Sequence, residues 1–208
     1  MEGAFVFALA ISFVPTEKPE QRRILRARRN ALSPEDQRFA AAQLASHLVS
    51  TRLFMVSRRI ACYLPNDGEI DTHPVIERIW RMRKTCYLPV LSPLAHDRLW
   101  FAPAEPGMEL TPNRFGIPEP VVQMRDLVRA QALDLVLMPL VGFDDRGNRL
   151  GMGGGFYDRS LEFLRHRAHW RKPHVLGLAY DFQRVNGLEP DAWDIRLQGV
   201  VTDRAVYL

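Results

Sequence analysis

The sequence of 208 residues has only two cysteines, Cys62 and Cys86, and no CxxC or Cys/His pattern at metal-binding spacing. A disulfide framework and a zinc site of the Cys/His type are therefore excluded as organising features. Each cysteine lies in an apolar run, which predicts two reduced thiols in the core of a cytoplasmic protein.

Long apolar runs are also missing. The apolar start, MEGAFVFALAISFV, is shorter than the roughly 20 residues of a membrane-spanning helix. It lacks the basic beginning and the small-residue cleavage site of a secretory signal. We expect residues 1–15 to be an extension, or the result of an upstream start codon, before a single domain at residues 16–208. The six histidines are scattered, and without a Ser-His-Asp or Cys-His arrangement we expect no protein nucleophile.

Positive charge is in modest excess, with a net charge of +4 at pH 7 and a pI near 9.4. A basic surface favours anionic ligands such as phosphates and also allows nucleic acid. A helix predicted over residues 18–32 places four basic residues on one stripe, at Lys18, Arg22, Arg26 and Arg29. This stripe is either a solvated face or a clamp for phosphate.

Strand-like and helix-like stretches alternate along the chain. Strands are predicted at residues 59–64, 85–91, 99–102, 133–141, 174–180 and 198–203, and helices at residues 18–32, 33–49, 74–83, 121–130 and 157–167. Ser33 caps the second helix, to which Phe39, Leu44 and Leu48 contribute apolar contacts. The alternation predicts an α/β fold, a three-layer sandwich with helices on both faces of a mostly parallel sheet.

A dense glycine cluster follows the strand at 133–141. Six of the 13 glycines fall between Gly142 and Gly155. The order is strand, a turn at residues 144–148, the loop GMGGG at 151–155, and a helix start. Backbone N–H groups of such a loop can converge on a phosphate, helped by the free N–H groups of the helix. Arg149 and Arg159 flank the loop and could add charge. A flexible surface loop is the alternative, since the spacing is neither a Walker motif nor GxGxxG.

Two further loops carry candidate ligand contacts. Glu69 and Asp71 follow the strand at 59–64, where ligands bind in open α/β sheets. Either acid could instead be solvated, and Asp71 with Thr72 could cap the next helix. In the loop NRFGIPEP at residues 113–120, Phe115 could stack on a planar ligand or simply pack.

Taken together, these motifs resemble the 5-formyltetrahydrofolate cyclo-ligase family, whose members are also called 5,10-methenyltetrahydrofolate synthetases. The strongest part is GFD at 142–144 with GNRLGMGGGFYDR at 147–159. Weaker pieces occur in the right order: Lys18 with Arg22, YLP at 63–65 through GEIDT at 68–72, FGI at 115–117 with EP at 119–120, and WD at 193–194 before VVT at 200–202.

The resemblance implies an ATP-dependent ligase. Such an enzyme closes 5-formyltetrahydrofolate, with or without a polyglutamyl tail, to 5,10-methenyltetrahydrofolate and releases ADP and phosphate through a phosphorylated formyl (imidate) intermediate. By resemblance, the ATP contacts are Lys18, Arg22, Arg149, Leu150, Gly151, Met152, Gly153, Gly154, Gly155, Phe156 and Tyr157. The folate contacts are Leu64, Glu69, Phe115, Met152, Gly153, Gly154, Gly155 and Phe156. The Mg²⁺ ligands are Asp158 and Asp194.

The resemblance further implies a monomer without nucleic-acid or membrane partners. Two alternatives stay open at this point. Another phosphoryl-transfer or sugar-phosphate enzyme would bind ATP or phosphate without depending on folate. A basic module using the helix from Arg22 to Arg29 would bind RNA in a salt-sensitive way. The acids Glu69, Asp158 and Asp194 weigh against RNA, because a groove for phosphates gains nothing from them.

Overall fold

The computed structural model describes residues 17–166 and 172–208, so the predicted extension at 1–15 lies outside the described residues. The described strands are β1 (Arg59–Ala61), β2 (Thr85–Leu91), β3 (Leu99–Ala104), β4 (Leu110–Pro112), β5 (Pro118–Pro120), β6 (Leu135–Pro139), β7 (Gly142–Phe143), β8 (Arg149–Leu150), β9 (His174–Ala179), β10 (Gly199–Thr202) and β11 (Val206–Tyr207). The described α-helices are α1 (Lys18–Asn30), α2 (Pro34–Ser50), α3 (Arg52–Val56), α4 (His73–Arg81) and α5 (Phe156–Ser160). None of the helices in these two ranges is both long and apolar enough to cross a membrane.

Seven strands form the main sheet in the order β11-β10-β9-β6-β1-β2-β3. The five inner strands pair in parallel, while β3 and β11 add antiparallel edges. Two small antiparallel hairpins, β4–β5 and β7–β8, stand apart from it. The predicted mostly parallel sheet is confirmed, and its two antiparallel edges are a feature that the alternation of elements did not reveal.

The central strand β6 is buried on both faces, as its continuous apolar run predicts. Leu135 and Leu137 pack into the core beneath α2 and α4. Val136 and Met138 point to the other face, where Leu161 belongs to the same core. Both faces of the sheet are therefore covered, which confirms the sandwich, although short helical turns and loops provide much of the second layer.

Helix α2 begins as the sequence predicts. Ser33 accepts a hydrogen bond from the Asp36 N–H at 3.1 Å, and Pro34 occupies the first helical position. Leu44 is completely buried, but Phe39 is 66% exposed. Phe39, which was predicted to contribute apolar contacts like Leu44, lies instead on the solvent face of the helix.

The helix predicted at residues 121–130 was also wrong. Within this stretch the structure has a 3-10 turn at Met124–Asp126, and another turn, Ala130–Ala132, begins at its end. Val128 instead exchanges two backbone hydrogen bonds with Phe101, at 2.8 and 2.9 Å. Pairing with the edge strand β3 thus satisfies backbone groups that a helix would have used locally.

The helix after the glycine loop is shorter than predicted. Helix α5 ends at Ser160, and a 3-10 turn follows at Glu162–His166. Residue 167, the predicted end, lies outside the described residues. Since α5 has only five residues, its dipole can contribute little to anion binding.

Candidate active site

A cavity of about 610 Å³ opens where the inner strands β1, β2 and β6 end. Its floor comes from the carboxyl ends of these strands and the residues just after them: Tyr63, Leu64, Leu88, Pro89, Leu91, Pro139 and Leu140. After β1 the chain continues to β2 on one side, and it later returns to β6 on the other. The cavity therefore lies at a topological switch point, where open α/β sheets bind ligands.

The glycine loop forms one wall of this cavity. The turn at residues 144–148 precedes the loop and is held in place by Asp144, whose side chain is buried, with 3% of the residue exposed. Its carboxylate accepts hydrogen bonds from the N–H groups of Arg146, Asn148 and Leu188 and from the Asn148 side chain. Burial alone would raise the pKa of Asp144, but these hydrogen bonds outweigh it and lower the pKa. The predicted turn is confirmed, and these hydrogen bonds hold it in place.

Within the loop, two glycines need their conformational freedom. Gly153 and Gly155 have φ angles of +97° and +65°, a region that other residues rarely adopt. A Cβ at Gly155 would lie 2.6 Å from Arg159 Nη1, whereas one at Gly151 or Gly153 would meet no protein atom within 4 Å. The loop thus keeps open space beside its backbone, as a phosphate cradle requires.

Helix α1 supplies cations to the same wall. Lys18 Nζ lies 2.8 Å from Asp191 Oδ2, and Arg22 Nε donates to the Gly151 carbonyl oxygen at 2.8 Å. Both basic side chains line the cavity, beside the loop, as predicted. The remaining members of the predicted stripe, Arg26 and Arg29, do not line it.

Arg159, in contrast, does not line the cavity. Its guanidinium donates to the carbonyl oxygens of Gly154 and Asp97 and pairs with the Asp97 carboxylate at 3.1 Å. Arg149 does line the cavity, but its side chain is only 5% exposed and is occupied by Asp158 and the Ile195 carbonyl. The charge that the sequence assigned to these two arginines is largely neutralised by protein partners.

Three residues outside the glycine loop are expected to contact the folate. Leu64, Glu69 and Phe115 all line the cavity. Burial raises the pKa of Glu69 to about 7, against the lowering effect of the nearby Arg29 and of the Asn66 N–H. Phe115 is 53% exposed and meets the Phe156 ring edge-to-face, with centroids 5.7 Å apart.

Asp71 does not line the cavity. Its carboxylate accepts hydrogen bonds from the backbone and ring of His73 on the exposed start of α4. Asp71 thus satisfies a free N–H group at the start of α4, whereas Thr72, the other residue of the capping alternative, donates instead to the Tyr63 carbonyl oxygen.

Asp158 and Asp194 both line the cavity. Among the described residues, the hydrogen bonds to Asp158 come from Arg149 and Ile195 N and both fall on Oδ1, while Asp194 Oδ2 accepts from Asp191 N. The described ranges contain no cluster of three or more His, Cys, Asp or Glu side chains that could hold a metal alone. Mg²⁺ usually takes one or two carboxylates together with substrate phosphates. This donor set fits a cation that arrives with a nucleotide.

Several cavity residues were not predicted individually. Asp191 and Trp193 lie just before Asp194 in the chain, and Trp193 is 58% exposed. Tyr63 is 3% exposed, and its hydroxyl finds no hydrogen-bond partner within the described parts of the chain. Its place in the motif at 63–65 was the available signal.

All residues predicted to bind ATP, folate or Mg²⁺ border this single cavity. The model of the 5-formyltetrahydrofolate cyclo-ligase family matches residues 14–203. The chain is 42% identical to the 5-formyltetrahydrofolate cyclo-ligase of Escherichia coli K12, over 88% of this chain and 99% of that protein. The Haemophilus influenzae enzyme of the same name is 37% identical, over 88% and 96%.

Solved structures agree. An NMR structure of Aquifex aeolicus 5,10-methenyltetrahydrofolate synthetase superimposes with a TM-score of 0.76 at 33% identity, covering 91% of each chain. The Mycoplasma pneumoniae synthetase shares the fold, with a TM-score of 0.67 at 24% identity over 90% of this chain and 99% of that one. The chain therefore belongs to the 5-formyltetrahydrofolate cyclo-ligase family of folate enzymes.

Proposed function

We propose that the protein catalyses the ATP-dependent cyclisation of 5-formyltetrahydrofolate to 5,10-methenyltetrahydrofolate. The formyl oxygen attacks the γ-phosphorus of ATP, the bond to the bridging oxygen breaks, and ADP leaves with the electron pair. The phosphorylated formyl carbon is then attacked by N10. N10 loses its proton, and the C–O bond breaks to release inorganic phosphate.

The main support for this proposal is that the residues expected to contact ATP and those expected to contact the folate line the same cavity. Lys18, Arg22 and the glycine loop line this cavity, and so do Glu69 and Phe115. The cavity volume of about 610 Å³ falls within the roughly 300–1,000 Å³ of small-molecule sites. A transfer between two substrates requires them to meet in one enclosure, so this arrangement suits the reaction.

The proposed chemistry needs positioning and charge neutralisation more than a protein nucleophile. Both thiols are buried, and burial raises the pKa of Cys62 to about 12, which leaves a poor nucleophile. Lys18, Arg22 and the backbone N–H groups of the glycine loop would stabilise the triphosphate. Asp158 and Asp194 would hold Mg²⁺, which when bound neutralises phosphate charge.

On the folate side, Glu69 and Phe115 would orient the reacting ring. In its ionised form the Glu69 carboxylate accepts hydrogen bonds from ring N–H donors. Phe115 offers an exposed aromatic face at the rim for the planar part of the substrate. Together they would hold the formyl oxygen toward the glycine loop, where the γ-phosphate is expected.

A spectrophotometric assay tests the proposal. Purified protein, 5-formyltetrahydrofolate and MgATP should produce the near-ultraviolet absorbance of the methenyl product, and reactions lacking ATP or protein should not. A preparation that binds ATP but gives no such absorbance would contradict the proposed substrate. It would instead favour a phosphoryl-transfer enzyme acting on another compound.

A further inference from the structure

Arg29 is a fully buried arginine that borders several parts of the active site without lining the cavity. Its side chain is 0% exposed. Nε donates to the Asp67 carbonyl oxygen at 2.6 Å, and Nη2 lies 2.8 Å from Asp67 Oδ2. The same guanidinium reaches the Leu140 carbonyl oxygen at 3.5 Å and Met152 Sδ at 3.9 Å. Helix α1, the loop after β1, the end of β6 and the glycine loop therefore converge on one cation.

The turn that Arg29 holds is a strained one. Asp67 has a φ angle of +50°, which is uncommon for a residue other than glycine. A Cβ on the neighbouring Gly68 would lie 2.4 Å from Asn30 Oδ1, so the turn is pressed closely against α1. Strained backbone of this kind persists only where the surroundings over-determine it. Arg26 and Asn30 bond only to the Asp67 carboxylate, whereas Arg29 also bonds to the Asp67 backbone carbonyl and so constrains the backbone directly.

The positive charge of Arg29 also acts on Glu69, which lies two residues after Asp67. Within residues 17–166 and 172–208, four titratable groups act on it: Arg29 from α1, Asp67 from its own loop, Tyr63 from the segment after β1 and Tyr157 from α5. Arg29 is the single cation in this group, and it opposes the effect of burial on the pKa of Glu69. The identity of residue 29 therefore affects both the location and the ionisation of Glu69.

We propose that Arg29 is a positioning residue for the cyclisation: its buried guanidinium clamps the turn at Asp67 against α1 and the end of β6, and so holds the Glu69 side chain in place at the cavity. The inference rests on the proposed function. It assigns Arg29 no contact with either substrate. Its effect should appear in folate binding and in the pH dependence rather than in ATP binding, because its short contacts are to Asp67, whereas its contact with the glycine loop is a long one, 3.9 Å to Met152 Sδ.

Arg26 provides a matched control. It also bonds to Asp67 Oδ2, at 2.7 Å, but its side chain is 44% exposed, and it neither lines the cavity nor bonds to Leu140 or Met152. Arg26→Met removes a cation from the same carboxylate on the solvent side. A general loosening of Asp67 would affect both variants, whereas the clamp predicts an effect for Arg29 alone.

The experiment measures KM for 5-formyltetrahydrofolate and for ATP, and the pH profile of kcat/KM, in wild type, Arg29→Met, Arg29→Lys and Arg26→Met. For Arg29→Met we expect a folate KM raised about tenfold and an acid limb moved up by about one pH unit, with an unchanged ATP KM. Arg29→Lys keeps the charge but loses the planar fork, so it should raise the folate KM without moving the acid limb. Arg26→Met should match wild type.

The outcomes separate the two proposals. An inactive, folded wild type would refute the proposed function itself. An active wild type whose Arg29→Lys variant keeps a normal folate KM would overturn the clamp, even if Arg29→Met fails to fold. Equal losses for both substrates would also overturn it, since they would point to general structural damage.

Discussion

Gly151→Ala should separate ligand binding from folding more cleanly than any other change in the glycine loop. A Cβ at Gly151 would meet no protein atom within 4 Å, and its φ angle lies outside the left-handed region. The change should therefore leave stability unaffected or raise it by about 0.4–1 kcal/mol through the unfolded chain. The melting temperature should rise by at most roughly 2–4 °C.

The same methyl group should harm ATP binding, because Gly151 borders the cavity beside Arg22. Blocking one close backbone approach to phosphate costs about 1–3 kcal/mol, which corresponds to roughly a 5- to 150-fold rise in KM for ATP. Gly154 is a poorer test, because a Cβ there would lie 3.0 Å from the Phe156 ring.

Gly187→Ala is the matched control for this experiment. Gly187 has a φ angle of +76°, open space around it and no place in the cavity lining. Alanine there should lower stability by about 1 kcal/mol and leave the KM for ATP unchanged. The assays are thermal denaturation and initial rates at varied ATP. A Gly151→Ala enzyme with a wild-type KM for ATP would refute the assignment of this loop as the phosphate cradle.

Three further substitutions test other residues that line the cavity. Burial raises the folded pKa of Glu69 to about 7 from 4.5, so the stability linked to its proton is complete below about pH 4.5 and is lost as the pH rises through 7. Glu69→Gln should therefore gain on the order of 1–3 kcal/mol relative to wild type between these pH values, and parallel melting curves for the two proteins would contradict this. Asp158→Asn removes the partner of Arg149, which is only 5% exposed, and should cost about 3 kcal/mol of stability as well as weaken the Mg²⁺ dependence. Urea denaturation and a Mg²⁺ titration measure the two effects, and an unchanged titration would remove Asp158 from the metal site. Phe115→Ala should raise the folate KM by about fivefold, for a stacking loss near 1 kcal/mol, without changing the melting temperature, because the ring is 53% exposed. A folate KM equal to that of wild type would show that the ring does not contact the substrate.

Local patterns predicted the elements whose structure depends on local interactions. The Ser33 cap, the buried strand β6 and the turn at Asp144 follow from side-chain chemistry within a few residues. The segment at 121–130 did not form the predicted helix, because Phe101, over 20 residues away in sequence, engages the backbone of Val128. The sequence around Val128 contains no local pattern that identifies a partner so far away in the chain.

The candidate site shows the same division. Its glycine loop is recognisable by composition and order, whereas the partners of its charged residues are not. The sequence presents Arg29 as one of four equivalent basic residues, yet burial and Asp67 set it apart. Asp158 was predicted as a metal ligand, and the structure adds a second use for it beside Arg149.

The sequence by itself determined the alternating strands and helices, the glycine loop and the family. Only the tertiary structure decided which side chains meet around the cavity. Lys18 and Asp191 are separated by 173 positions and yet form an ion pair. Such contacts depend on the spatial order of the parallel strands in the sheet, because this order decides which loops share the carboxyl edge of the sheet.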